Sequence, residues 1–363
     1  MNRVLKLSPL LVATLCISAQ KPVSNSYTVT NLSSDIPGMA ATTDANLINP
    51  WGLSRPASSS LKENEWWASD QVTGVSTLYD ANGAVVPLTV TIPSANGAST
   101  GSPTGTVYSS LNFVFVTLDG TISQWVSATN PNGNTSVPKN FVHPVKPETC
   151  TGCHVTNAVL KVNHSSLGAS YTGVTVASNS GASTYYVANS NGGIEAYDSN
   201  FNPVTLAAGA FTDINIPAGF TPQGIQAIGQ RIYVTYNPQD PATGGYVDAF
   251  SPAGALLLTL QKTAPYDQPW GIAQAPSNFG AFSSTLLVGN NGNSGTILAF
   301  NPKTGQFVGR LKNSSGTVIS IPGLWGLSFG DGNTESGPTS TLYFNAGINN
   351  STHGLFGAIA SND

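Results

Sequence analysis

From Tyr27 onward the chain is a succession of short runs in which hydrophobic and polar residues alternate, broken by Gly, Asn and Pro. Alternation with a period of two predicts β-strands that bury one face and expose the other. No segment of useful length carries the 3.6-residue period of a helix.

The strands recur in a fixed order. A frame built on x-Gly appears as Asn49-Pro50-Trp51-Gly52-Leu53, Ser102-Pro103-Thr104-Gly105-Thr106 and Ser170-Tyr171-Thr172-Gly173-Val174. It returns as Thr221-Pro222-Gln223-Gly224-Ile225, Gln268-Pro269-Trp270-Gly271-Ile272 and Gly323-Leu324-Trp325-Gly326-Leu327. The anchor glycines are 53, 68, 51, 47 and 55 residues apart. A second and a third strand signal follow each anchor, as in Trp66–Asp70 then Gly74–Asp80, or Leu286–Asn290 then Gly295–Phe300. Periodicity on this scale predicts an all-β chain folded as a six-bladed β-propeller. The last unit lacks a fourth strand after Ile359, so Tyr27–Leu32 is expected to close the ring as an N-terminal strand and remove two exposed edges.

Arg3 and Lys6 precede an apolar run from Leu7 to Ile17, with Ala19 at a small-residue cleavage position. Residues 1–19 therefore read as a secretory signal peptide, and 20–363 as a single propeller domain with an insertion at about 130–155. No later stretch is long and apolar enough for a membrane helix. The expectation is a secreted, extracellular protein (periplasmic in a Gram-negative host) and a monomer. Six sequons, at Asn31, Asn134, Asn163, Asn313, Asn349 and Asn350, are glycan acceptors if the host is eukaryotic.

Composition narrows the partners. Only 8% of residues are charged and the net charge is −4, which leaves no electrostatic footprint for nucleic acid or anionic lipid. Hydrophobic residues still make up 40%, so the abundant Ser, Thr, Asn and Gly belong to turns and outer strand faces rather than to disorder.

The segment from Ser34-Asp35-Ile36-Pro37-Gly38 through Asn49-Pro50-Trp51-Gly52-Leu53 resembles the start of a secreted propeller family of conserved hypothetical proteins. Leu78-Tyr79-Asp80, Pro103-Thr104-Gly105, Asp267-Gln268-Pro269-Trp270-Gly271, Gly323-Leu324-Trp325-Gly326-Leu327 and His353-Gly354-Leu355-Phe356-Gly357 extend the resemblance over nearly the whole mature chain. It implies a six-bladed propeller related in architecture to NHL-type repeats and sugar-lactone lactonases. It implies no established activity and no catalytic residue. The chain departs from the family pattern at Thr149–His154.

That departure is Cys150-Thr151-Gly152-Cys153-His154, which has the C-x-x-C-H form of a c-type haem attachment sequence. No helix is predicted to present the histidine, and a zinc site would need two further ligands where no second cysteine pair exists. A local disulfide between Cys150 and Cys153 is the expected state, with no cofactor. Gly97-Ala98-Ser99-Thr100-Gly101 matches the G-x-S-x-G nucleophile elbow but lies in a loop with no helix after it, and Lys303-Thr304-Gly305 reads as a hairpin turn.

The residues before the anchor glycines carry more. In a propeller the first strand of each blade lines the central channel, where ligands bind at a mouth. In the lactonases that this architecture resembles, the comparable frame carries Asn or Asp residues that hold a divalent cation. Here the positions are Trp51, Thr104, Thr172, Gln223, Trp270 and Trp325, none of which ionises, so a metal site of that kind is not expected. Trp51, Trp270 and Trp325 are either a platform for a sugar or other flat ligand, or packing between blades. Asp70, Asn189, Tyr236, Asn290 and Asn345 end the second strands and suggest an outer ring, which polar strand terminators would also produce. With only four histidines, none in the repeat, and no paired carboxylates or triad at recognisable spacing, catalysis is not expected. The chain reads as a protein that binds a small molecule, a carbohydrate or an extracellular protein at the channel mouth through Trp51, Gln223, Trp270, Trp325, Asp70, Asn189 and Asn290. Cation-assisted hydrolysis of the lactonase or lyase type and structural adhesion are the rival readings.

Overall fold

A computed structural model of the chain describes residues 24–56, 64–109, 112–126, 156–238 and 244–363. The expected leader at 1–19, the expected insertion at about 130–155, and with it Cys150, Cys153 and His154, lie outside the described residues.

Six sheets form the blades of a propeller, antiparallel throughout except where the two-residue strand Thr42–Thr43 pairs in parallel with Tyr27–Ser34. Blade one comprises Pro50–Ser54, Trp66–Asp70, Val75–Tyr79 and Val85–Thr91. Blade two comprises Pro103–Ser109, Asn112–Thr117, Thr121–Val126 and Val159–Asn163, so its outer strand comes from beyond the insertion. Blade three has Tyr171–Asn179, Ala182–Asn189 and Gly193–Tyr197, and its fourth position is reduced to a single bridge between Tyr197 and Pro203. Blade four is Phe220–Ile228, Arg231–Pro238, Tyr246–Phe250 and Leu256–Thr259. Blade five is Pro269–Gln274, Leu286–Asn290, Ile297–Phe300 and Phe307–Arg310.

Blade six takes Leu324–Phe329, Thr341–Ala346 and Leu355–Ser361 from the end of the chain and Tyr27–Ser34 from its beginning. The closing strand runs antiparallel to Leu355–Ser361, with Tyr27 opposite Ser361 and Ser34 opposite Leu355. The expected closure is therefore present. Tyr27 also reaches into blade five, where its hydroxyl donates to the Phe279 carbonyl at 2.9 Å and accepts the Phe282 N–H at 3.1 Å.

Strand alternation builds the core. Successive side chains point to opposite faces of a strand, so each second strand feeds two interblade layers at once. Trp66 packs with Tyr343 and Phe356 between blades six and one, whereas its neighbour Trp67 packs with Phe113 and Trp125 between blades one and two. Tyr185 and Tyr186 divide in the same way between the layers on either side of blade three.

The anchor glycines exist because the first strands crowd together at the axis. A Cβ on Gly52 would lie 2.6 Å from the Thr104 carbonyl oxygen, one on Gly105 2.6 Å from Val174 N, and one on Gly173 2.9 Å from the Gln223 carbonyl oxygen. Gly224 abuts the Trp270 carbonyl, Gly271 that of Trp325, and Gly326 that of Trp51, which completes the circuit. Any larger residue would push neighbouring blades apart. The residues before two of these glycines tie the blades directly: Thr104 Oγ1 donates to the Tyr171 carbonyl at 2.7 Å, and Thr172 Oγ1 to the Gln223 carbonyl at 2.9 Å.

Candidate functional site

The three frame tryptophans belong to blades five, six and one, which are consecutive round the ring, and they meet on the axis. Trp51 and Trp325 stack with centroids 3.6 Å apart, and Trp270 stands edge-on to both, at 6.3 and 5.7 Å. Trp325 Nε1 donates to Asn49 Oδ1 at 3.0 Å, and Asn49 Nδ2 donates to Gln71 Oε1 at 2.8 Å. Trp270 and Trp325 are buried and Trp51 half-buried. Each indole thus spends much of its surface on the other two, as a plug near the start of the first strands. Gln223, from blade four, is half-buried and donates to Thr221 Oγ1 at 3.2 Å.

The outer ring is a set of strand-end fasteners. In register, the residues opposite Pro50, Pro103, Tyr171, Pro222, Pro269 and Leu324 are Asp70, Thr117, Asn189, Tyr236, Asn290 and Ala346. Blade six therefore departs from the expected ring: Asn345 is one residue early, and its Nδ2 donates to the Gly52 carbonyl of blade one at 2.9 Å. Tyr236 occupies its ring position but lies inside a strand that continues to Pro238. Several members bind the third strand of their own blade or the residue that leads into it. Thr77 Oγ1 donates to Asp70 Oδ2 at 2.7 Å, Asn189 Nδ2 to Glu195 Oε1 at 2.7 Å, and Asn290 Nδ2 to Thr296 Oγ1 at 3.0 Å. Asn189 Oδ1 also accepts the N–H of Asn191, the local turn that favours Asn at a strand end. Asp70 is fully buried, and burial first of all pushes its carboxyl well above the usual range.

Past the plug the channel opens. A cavity of about 320 Å³ lies at the far ends of the first strands, lined by Leu53, Ser54 and Arg55 of blade one, Thr106 and Tyr108 of blade two, and Val174 of blade three. Gln226 and Ile228 of blade four, Ile272 and Gln274 of blade five, and Leu327, Ser328 and Phe329 of blade six complete the wall. A smaller space of about 30 Å³, lined by Gly52, Leu53, Trp270, Gly271 and Leu327 among others, lies between that cavity and the plug. The inner part of the mouth is aliphatic, and its rim carries polar uncharged side chains together with Arg55.

Arg55 is the cation in this wall, and it is already engaged. Its Nη1 is 3.0 Å from Asp331 Oδ2, and Nε and Nη2 both donate to the Phe329 carbonyl, at 3.1 and 3.0 Å. Burial pulls the guanidinium pKa down and Asp331 pulls it back up. Asp331 is in turn held by Asn64 Nδ2 at 2.7 Å and by the Ser336 hydroxyl. Gln226 and Gln274 make weaker bonds, to the Ala227 carbonyl at 3.3 Å and to the Ala275 and Thr285 carbonyls at 3.4 and 3.0 Å.

The sequence reading missed the residues of this mouth, although the repeat contains the signal. They stand one to four positions after each anchor glycine, as in Gly52 to Ser54 and Arg55, Gly105 to Thr106, Gly224 to Gln226 and Gly326 to Ser328. One position before the glycine, by contrast, Trp51, Trp270 and Trp325 close the channel. Ser99 of the elbow-like pentapeptide is exposed, and its hydroxyl donates to Ser94 Oγ at 3.1 Å, within a turn that carries no helix.

Fold and channel together define a six-bladed β-propeller. No family model matches the chain. It is 30% identical over 237 residues to an uncharacterised protein of Acanthamoeba polyphaga mimivirus, a match over 62% of this chain and 39% of that one. A second uncharacterised protein of the same virus is 28% identical over 347 residues, 92% of this chain and 80% of its own length. The chain thus spans well under half of the first relative and most of the second. Among solved structures, a glucose dehydrogenase gives a TM-score of 0.55 at 12% identity, over 91% of this chain and 98% of that one. A Bacteroides thetaiotaomicron protein of unknown function also gives 0.55, at 10% identity, over 92% of this chain and 76% of that one. At such identities the likeness is one of fold.

Proposed function

We propose that this propeller binds a small, neutral, polyhydroxylated molecule, of the size and chemistry of a simple sugar, in the channel mouth remote from the tryptophan plug. The observation that carries this is the cavity of about 320 Å³, whose aliphatic floor is ringed by the side chains of Ser54, Thr106, Gln226, Gln274 and Ser328. Small-molecule sites run from roughly 300 Å³ upward and combine apolar walls with a few placed polar groups. Hydroxyls and carboxamides both donate and accept, which suits a ligand made of hydroxyls. The one guanidinium is neutralised by Asp331, so a charged ligand gains little. The basic-then-apolar leader supports export, and the ligand is then met outside the cell.

The test is a thermal-shift screen of neutral mono- and disaccharides and polyols, followed by calorimetric titration of any hit. A binder should raise the melting temperature of the wild type, and its affinity should fall at least about tenfold in a Gln226→Ala/Gln274→Ala double variant that melts normally. Equal affinity in that variant would place the ligand elsewhere and refute the proposal.

A further inference from the structure

At the edge of blade three, four side chains bring one metal-binding atom each to a single point. His164 follows the outer strand of blade two, Tyr171 opens blade three, and Glu195 and Tyr197 stand two apart on its third strand and so share a face. His164 Nδ1 is 2.9 Å from the Tyr171 hydroxyl and 3.3 Å from that of Tyr197. The two hydroxyls are 3.3 Å apart. Glu195 Oε2 is 2.8 Å from the Tyr171 hydroxyl, 2.5 Å from that of Tyr197 and 3.5 Å from His164 Nδ1.

All six distances among four atoms thus fall between 2.5 and 3.5 Å. A hydrogen-bonded chain of four groups needs only three of them. The other three close the chain into a compact tetrahedron, which is close to the size of a four-coordinate shell: four donors bound at about 2.0–2.1 Å stand about 3.3 Å apart in a tetrahedron. Asn189 supplies the outer support such sites use, since its Nδ2 holds Glu195 Oε1 at 2.7 Å and leaves Oε2 for the cluster. The His164 and Glu195 side chains are 30% and 27% exposed, so an ion has a way in.

We propose that His164, Tyr171, Glu195 and Tyr197 form a binding site for ferric ion. Charge selects the metal. Two phenolates and a carboxylate carry three negative charges around a neutral imidazole, which balances a trivalent cation and overcompensates a divalent one. Three hard oxygen donors and one imidazole likewise suit iron better than a soft metal. Binding breaks both phenol O–H bonds, releases the two protons to water and forms two iron–oxygen bonds, with no change of oxidation state.

The experiment is a titration of tag-free, chelator-treated protein with ferric nitrilotriacetate, followed in the visible region. The expected result is a tyrosinate-to-iron charge-transfer band that saturates at one ferric ion per chain. Tyr171→Phe and Tyr197→Phe conserve volume and should fold with similar melting temperatures, yet each should weaken or abolish the band. Asn189→Ala should keep the band and weaken ferric binding about 10–100-fold. Absence of a band in the wild type, or a band of unchanged intensity in both Phe variants, overturns the site. A melting-temperature rise with zinc but no ferric band overturns the assignment of the metal.

Discussion

Trp51 and Trp325 lie face to face, their ring centroids 3.6 Å apart and their planes 17° from parallel, so the first and last blades are joined at the axis by an indole stack, while at the rim the start of the chain pairs into the last blade. Trp325→Ala removes one half of that stack and the bond to Asn49 Oδ1. The expected cost is about 3–5 kcal/mol, as for other buried large aromatic residues. Acrylamide should also quench a larger fraction of the remaining tryptophan fluorescence, because Trp51 loses its cover. An unchanged urea midpoint and unchanged quenching would show that the plug carries no weight.

Deleting the chain through Ser34 removes the strand that pairs with Leu355–Ser361 and the Tyr27 hydroxyl that links to Phe279 and Phe282. Blade six would then expose an unpaired edge. The truncated protein should melt well below the protein that begins at residue 20, or aggregate on purification. Matching melting temperatures would exclude closure by this strand.

Gly271→Ala drives a methyl group against the Trp325 carbonyl and the Leu327 side chain. Overpacking of this kind costs typically about 1–3 kcal/mol, and more where backbone has to move. Urea unfolding should show a lower midpoint at an unchanged slope. A midpoint equal to that of the wild type would mean that the first strands have slack at the axis.

The blades were legible in the sequence for a physical reason. Trp66 and Trp67 serve opposite interblade layers, and the anchor glycines are forced by backbone contact, so alternation and Gly spacing both survive in the text. The closing strand was legible because Tyr27–Leu32 alternates like the others while the last blade runs short. The site was legible only in part. Placing Trp51, Trp270 and Trp325 at the channel needed only the frame, whereas their mutual stacking depends on rotamers that no spacing encodes. Asn345 was misplaced because a strand of Asn and aromatic residues does not reveal its register by one residue. The cluster of His164, Tyr171, Glu195 and Tyr197 was hidden because its members look ordinary one at a time and come from three different elements.

Asp248 gives a pH prediction. It is fully buried, and neither carboxylate oxygen makes a hydrogen bond of ordinary geometry. Burial pushes its pKa up to about 6; Thr259 and Lys262 pull it down and Asp213 adds to the rise. A folded-state pKa above the unfolded value means that the native state keeps its proton longer, so this group's contribution to stability falls as pH rises from about 4 through about 6 and stays low above that. The loss is about 3 kcal/mol at about 1.4 kcal/mol per pH unit of displacement. Asp248→Asn should remove it, so the stability difference between variant and wild type should grow in the variant's favour across that window. A difference that stays constant from pH 4 to pH 7 would contradict this reading.

The most direct measurement of the account is amide hydrogen exchange with and without a saturating saccharide from the binding screen. The account predicts new protection at the far ends of the first strands, around Ser54–Arg55, Thr106–Tyr108, Gln226–Ile228, Ala273–Gln274 and Ser328–Phe329. It predicts no change at the opposite mouth, where Asp70, Asn189 and Asn290 end the second strands. Protection confined to that opposite mouth, around Asn49–Trp51 and the loops after Asp70 and Asn290, would contradict it.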